Sequence, residues 1–268
     1  MSALAAYVEG IGLIGPGLPD WRSGARLIAG EEPYSPAPTV VPAPQGLPAA
    51  ERRRTGITVR LAIGVAQQAL EQAGADPRGL PAIFASSGGD GLICHEICET
   101  LASSDRQVSP TRFHNSVHNA AAGYWSLATG ATAASTALCA YDGSFGAGFI
   151  EALATMRADG GAVLLAAYET TYPEPLHAKR PLPDAFAMAM VLAPTRSERA
   201  RAKLVVRIGE GEAAADRLVD PRLEALRTAL PAARSLPLLR LLARGESERV
   251  VLDYLDGQRI AVEVSECH

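Results

Sequence analysis

The chain has 268 residues, 48% of them hydrophobic and 20% charged, which suits one large domain or two small ones and argues against disorder. With 29 acidic against 25 basic residues and only 5% aromatics, it lacks the clustered cations and stacking rings of a nucleic-acid surface. No apolar run reaches the roughly 18 residues of a membrane span, and the opening MSALAAYVEG has neither a basic start nor a leader-like apolar core, so a cytoplasmic protein without a membrane partner is expected.

The first apolar run, YVEGIGLIG, reads as a strand, and the Pro-rich EEPYSPAPTVVPAPQGLP after it reads as an extended surface excursion. RTGITVRLAIGVAQQALEQAG then spaces Ile57, Leu61, Val65 and Ala69 four apart, a helix stripe that Gly74 ends. PAIFASS is a buried strand. SGGDGLICHEICETLAS is a glycine turn into a helix whose apolar set is Leu92, Ile93, Ile97 and Leu101. Gly88, Gly89 and Gly91 complete no phosphate-binding pattern, and no cofactor is expected.

Cys94, His95 and Cys98 could in principle hold a metal, but no second ligand pair stands out, and buried helical thiols are the expectation. His114 and His118 stand four apart, yet Asn115, Ser116 and Asn119 argue against the single helix that a metal pair would need. ATAASTAL is a strand, GSFGAGFIEALATMRADG a helix, and GAVLLAAYE and AFAMAMVLAP two wholly apolar strands. Strands without alternation, separated by helices, predict an α/β sheet covered on both faces.

After Pro194 come the strand KLVVRIGEGE, a helical DPRLEALRTALPAARSLPLLRLLARG broken near Pro231 or Pro237, and the strands RVVLDYL and QRIAVEVS joined at Asp256-Gly257. The expected division is residues 1–194 as the main α/β region and 195–268 as a β-α-β-β tail packed into the same domain.

Cys139, in STALCAYDGSFGAG, raises a chemical question. A helix N-terminus favours a thiolate, and a histidine such as His114 or His118 within hydrogen-bond reach would supply a base. A small residue packed at a strand end explains it as well.

The order of these pieces resembles the N-terminal half of a β-ketoacyl synthase of the thiolase-like fold. The resemblance rests on RRRTGITVRLAIGVAQQALEQAGAD, FASSGGDGLICHEI, FHNSVHNAAAGYWSLATG, STALCAYDGSFGAGFIEAL, AAYET and PDAFAMAMVLA, and it covers about residues 1–194. It implies one full ketosynthase-type half, with a mixed sheet covered by helices, plus a reduced C-terminal half. The family's second half supplies two catalytic histidines, whereas here no histidine follows Pro194 before His268. The family's nucleophile opens the helix GAGFIEAL, which falls nearer Tyr141 or Asp142 than Cys139. An aspartate there could not form an acyl thioester, and an unpaired buried carboxylate would be costly.

The resemblance therefore implies a short, non-condensing chain-length-factor subunit like those of aryl polyene-type pathways. Such a subunit pairs with a full-length ketosynthase, meets the acyl carrier protein through that partner, and closes the acyl tunnel; alone, it could pair with a second copy of itself as a homodimer. The expected tunnel and interface residues are His114, Asn115, His118, Asn119, Tyr124, Tyr141, Ser144 and Phe145, with the edge strand ATAASTAL pairing across a two-fold axis. Arg52, Arg53 and Arg54 either steer the acidic carrier protein or form a solvated helix start. The alternative from another class is a stand-alone cysteine acyltransferase or thioesterase using Cys139.

Overall fold

A computed structural model describes residues 3–210 and 214–267. Eight strands form one sheet: β1 (Leu4–Ile14), β2 (Ala82–Ala85), β3 (Ser135–Leu138), β4 (Val163–Glu169), β5 (Phe186–Ala193), β6 (Ala202–Glu210), β7 (Arg249–Asp253) and β8 (Gln258–Glu266). Their spatial order is β3-β2-β4-β5-β1-β6-β8-β7. The β2–β3 and β2–β4 pairs are parallel and the others antiparallel, so the sheet is mixed. The tail strands extend the main sheet, because β6 pairs with β1.

Alternation along β5 explains the two unequal layers. Phe186, Met188, Met190 and Leu192 face one core, which also holds Phe145 and Phe149 of α7 (Ser144–Asp159) and Leu238 of α10 (Leu236–Arg244). Ala187, Ala189 and Val191 face the other, filled by α3 (Ile57–Ala73) and by Tyr124 and Trp125 of α6 (Ala120–Thr129). Small residues on that face let α3 approach closely, and each of its fully buried large aliphatic side chains contributes about 1.5–3 kcal/mol of transfer free energy. The helix stops as expected at Gly74, whose φ of 57° is left-handed.

The sequence reading missed α1 (Trp21–Ala29), capped by Asp20 and ended by left-handed Gly30. The break in the tail helix falls at Pro231: α9 (Pro221–Ala229) gives way to a 3₁₀ turn at Ala232–Ser235 before α10. Pro237 sits in the first turn of α10, where a missing N–H costs nothing. The Asp256-Gly257 turn joins β7 to β8, with Gly257 at φ 72°.

One packing expectation is overturned. Cys94 and Cys98, on α4 (Gly91–Ala102), are exposed thiols, and Leu92 and Leu101 are about half exposed. The reason is position: α4 packs chiefly on the short α5 (Pro110–Asn115), outside both cores, so its apolar stripe is only partly covered, Ile93 and Ile97 being half-buried. Among the described residues no helix is long and apolar enough to cross a membrane.

Candidate functional site

The parallel strands β3, β2 and β4 end side by side, and their C-terminal ends define the site. β2 runs into Ser86 and Ser87, which gather groups from three other segments. Glu169, ending β4, accepts hydrogen bonds from both the Ser87 N–H and Oγ at 2.7 Å. The Cys139 thiol, just past β3, donates to the Ser87 carbonyl at 3.1 Å. His118 Nε2 lies 3.2 Å from the Ser86 carbonyl. Burial pushes the Glu169 carboxyl up to about 7, although the Ser87 hydrogen bonds favour its ionised form.

From Cys139 the chain enters a 3₁₀ turn, Tyr141–Gly143, and then α7. Tyr141 has φ 50°, and among the described residues it is the one non-glycine position with positive φ. Such a conformation costs of order 1–3 kcal/mol and persists only where the surroundings impose it. Ser144 imposes it here: its buried Oγ donates to the Tyr141 carbonyl at 2.6 Å and accepts from the Ala140 N–H at 3.0 Å. Above the turn, the Arg180 guanidinium lies 3.7 Å from the Tyr141 ring centre and reaches Asp142 at 2.7 Å. Arg234 approaches the same carboxylate at 3.5 Å. Asp142 is thus paired and partly solvated, which removes the cost expected for a lone buried charge.

A Ser144→Ala variant is expected to lose about 2 kcal/mol of stability, since both hydrogen bonds to this strained turn disappear together. Urea unfolding would measure it, and a midpoint equal to the unmutated chain's would reject the clamp.

The remaining expected site residues divide into three groups. Phe145 is wholly buried and stacks on Phe149 at 5.9 Å, and Ser144 is buried as the turn clamp, so neither presents a surface. His114 sits in α5, edge-on to Tyr124 at 6.0 Å, while His118 lies beyond the end of α5. The two imidazoles therefore do not share a helix. Asn115 is buried and its Nδ2 donates to the Arg54 carbonyl at 2.8 Å; Asn119 is exposed at the start of α6.

His114 and Tyr124 line a groove of about 460 Å³ between α5 and α6, rimmed by exposed Phe113 and Leu127. Arg52 and Arg53 point to solvent on α2 (Ala49–Arg54), where Arg54 pairs with Glu51.

Cys139 itself is exposed, contrary to a packing role, because β3 is the sheet edge and its residues are only partly covered. Its thiol hydrogen bond goes to a carbonyl, which cannot serve as a general base.

A second groove, of about 380 Å³, opens beside Tyr141 and runs past Tyr172 and Arg180 to Cys94 and Cys98. Sequence reasoning had missed Ser87, Glu169, Tyr172 and Arg180. Only Glu169 left a trace, as an acid closing a strand that is otherwise apolar.

Residues 26–249 match the family model described as β-ketoacyl synthase, N-terminal domain. No curated protein matches the sequence. Among solved structures, the chain resembles a ketosynthase (ApeO) in complex with its chain length factor (ApeC) from Xenorhabdus doucetiae, at 23% identity and a TM-score of 0.73 over 97% of this chain and 99% of that one. It also resembles the ishigamide ketosynthase/chain length factor, at 14% identity and a TM-score of 0.73 over 98% and 100% of the two chains. A β-ketoacyl synthase from Burkholderia phymatum STM815 aligns at 11% identity and a TM-score of 0.71 over 99% and 100%. At these identities the likeness establishes a common fold, the thiolase-like one expected. With the family model spanning most of the sequence, the chain belongs to the β-ketoacyl synthase family and carries its N-terminal domain.

Proposed function

We propose that this chain is a non-condensing, chain-length-determining subunit that pairs with a full-length β-ketoacyl synthase in fatty acid, polyene or polyketide-type biosynthesis. The observation that carries the reading is the turn at the head of α7. The family's nucleophile belongs there, but the strained position holds Tyr141, on whose ring Arg180 stacks while pairing with Asp142. A phenol beside a paired carboxylate offers no thiolate for acyl transfer. The likeness to complexes of a ketosynthase with a chain length factor supports the same reading.

In this proposal the open edge of β3 pairs with the partner's sheet, and the α5–α6 groove with His114, Asn119 and Tyr124 lies at that interface. The acyl carrier protein delivers its cargo to the catalytic partner in the cytoplasm. Without that partner, the same edge would let two copies of this chain associate.

The test is co-expression with a full-length ketosynthase from the same biosynthetic cluster. The two chains are expected to co-purify, and product length to change when the α5–α6 groove is filled by Gly123→Phe while total turnover persists. Failure to co-purify would reject the partnership. In parallel, intact-mass analysis with short acyl-thioester donors is expected to show no adduct; an adduct lost in Cys139→Ala would instead make the chain a cysteine acyltransferase.

A further inference from the structure

At the end of the sheet opposite β3, three arginines that form no ion pair among the described residues meet at one small cavity. Arg217 precedes α9, Arg240 lies on α10 and Arg249 opens β7, and together they line a space of about 90 Å³. The fold builds this convergence. α10 buries Leu238, Leu239 and Leu241 in the larger core, which leaves Arg240 half-buried at the cavity. Asp216 fastens the loop before α9 to β7: its N–H donates to the Val251 carbonyl at 2.8 Å, and its carboxylate accepts from the Val251 N–H at 2.7 Å. That double tie holds the neighbouring Arg217 at the cavity that Arg249 lines. Glu224, the acid nearest Arg217 in charge terms, is already occupied by the Arg227 guanidinium and the Leu218 N–H. Two carboxylates, Asp216 and the exposed Glu248, also line the cavity, so the three guanidiniums leave one net positive charge.

A guanidinium's planar fork matches the oxygens of a phosphate, and the small cavity admits a tetrahedral oxyanion and little more. Leu218 and Arg240 also line a neighbouring cavity of about 660 Å³ that reaches Ile28 and Tyr34. Its acids are offset, because Glu31 and Glu32 pair with Arg26 and Asp220 pairs with Arg222. The larger cavity can therefore take an organic body without repelling the phosphate attached to it. We propose that the two cavities form one site for an organic phosphate monoester, its phosphate among Arg217, Arg240 and Arg249 and its organic part in the larger cavity beside Val219. β7 and β3 stand at opposite ends of the sheet, so this site is separate from the edge offered to a partner subunit.

The experiment is isothermal titration of the full chain at low ionic strength, with AMP, inorganic phosphate and adenosine as probes. AMP is expected to bind at least tenfold more tightly than phosphate, adenosine is expected not to saturate, and added salt is expected to weaken both anions. Arg240→Gln and Arg249→Gln are each expected to weaken AMP by about tenfold, the loss of a charge-assisted hydrogen bond. Val219 is 86% exposed, so Val219→Trp narrows the larger cavity without disturbing either core; it is expected to weaken AMP and leave phosphate unchanged. Thermal unfolding of each variant checks that it is folded. Phosphate bound as tightly as AMP would mean an adventitious ion only. That result, an AMP affinity unchanged in both arginine variants or in Val219→Trp, or no saturable binding would each overturn the proposal. None of them would touch the partner-subunit reading, which stands or falls on co-purification and product length.

Discussion

Between pH 5 and pH 8 the unmutated chain is expected to lose stability that a Glu169→Gln variant retains, so that the variant is the more stable protein at the alkaline end. Burial raises the folded-state pKa of Glu169 from 4.5 to about 7. A raised carboxyl pKa means that the folded state binds the proton more tightly than the unfolded one. Its stabilising effect is complete below about 4.5, the unfolded value, fades as pH rises through 7, and is gone above that. A shift of this size corresponds to roughly 3 kcal/mol at 1.36 kcal/mol per unit.

Glutamine keeps a carbonyl for the Ser87 N–H and an amide for its Oγ, while removing the ionisable group. Asp90, also raised by burial, is present in both proteins, so the variant keeps a residual slope. Thermal unfolding across this range for both proteins gives the answer: curves that run parallel would mean Glu169 does not titrate in this window.

A Gly12→Ala variant is expected to be destabilised by about 3 kcal/mol or more, a substantial part of the 5–15 kcal/mol that holds a typical domain together. A methyl group at Gly12 would sit 2.1 Å from the Val65 carbonyl oxygen, and at neighbouring Gly10 it would sit 2.0 Å from that of Ala69. Neither obstacle is a movable side chain. Both are backbone of α3, so the helix itself must back away from the sheet.

That displacement reaches the site. Thr58, in the first turn of α3, shares a hydrogen bond of 3.1 Å with Thr170, the residue after Glu169. A urea midpoint within error of the unmutated protein would show that α3 moves at little cost and would sink this account of the close approach.

Much of the fold was legible because it depends on local periodicity. The four-residue spacing from Ile57 to Ala69 produced the helix expected, and the unalternating runs of β4 and β5 occupy the middle of a sheet covered on both faces. The short α1 escaped because Ser23 and Gly24 interrupt a brief pattern beside the Pro-rich segment. On α4 the spacing of Leu92, Ile93, Ile97 and Leu101 correctly indicates a helix, whereas the burial expected of Cys94 and Cys98 does not hold. Periodicity reports which residues share a face, and nothing in the stripe reveals whether another element lies against it.

The site was less legible for a related reason. Its turn could be assigned only to within three residues from Cys139 to Asp142, whereas the backbone distinguishes them: φ turns positive at Tyr141 and Ser144 holds it there. Glu169 and Ser87 are 82 positions apart, and only the adjacency of β2 and β4 makes them partners.

The sequence by itself determined the order of the eight strands, the helix stop at Gly74 and the hairpin at Asp256-Gly257, and the order of motifs that carries the family resemblance, because each depends on neighbours along the chain. The tertiary structure alone decided that three strand ends meet at Ser87, that Glu169 is enclosed while Cys94, Cys98 and Cys139 are open to solvent, and that Arg180 and Arg234 converge on Asp142. Burial and charge pairing depend on what packs across the sheet, and that information is distributed over residues far apart in the chain.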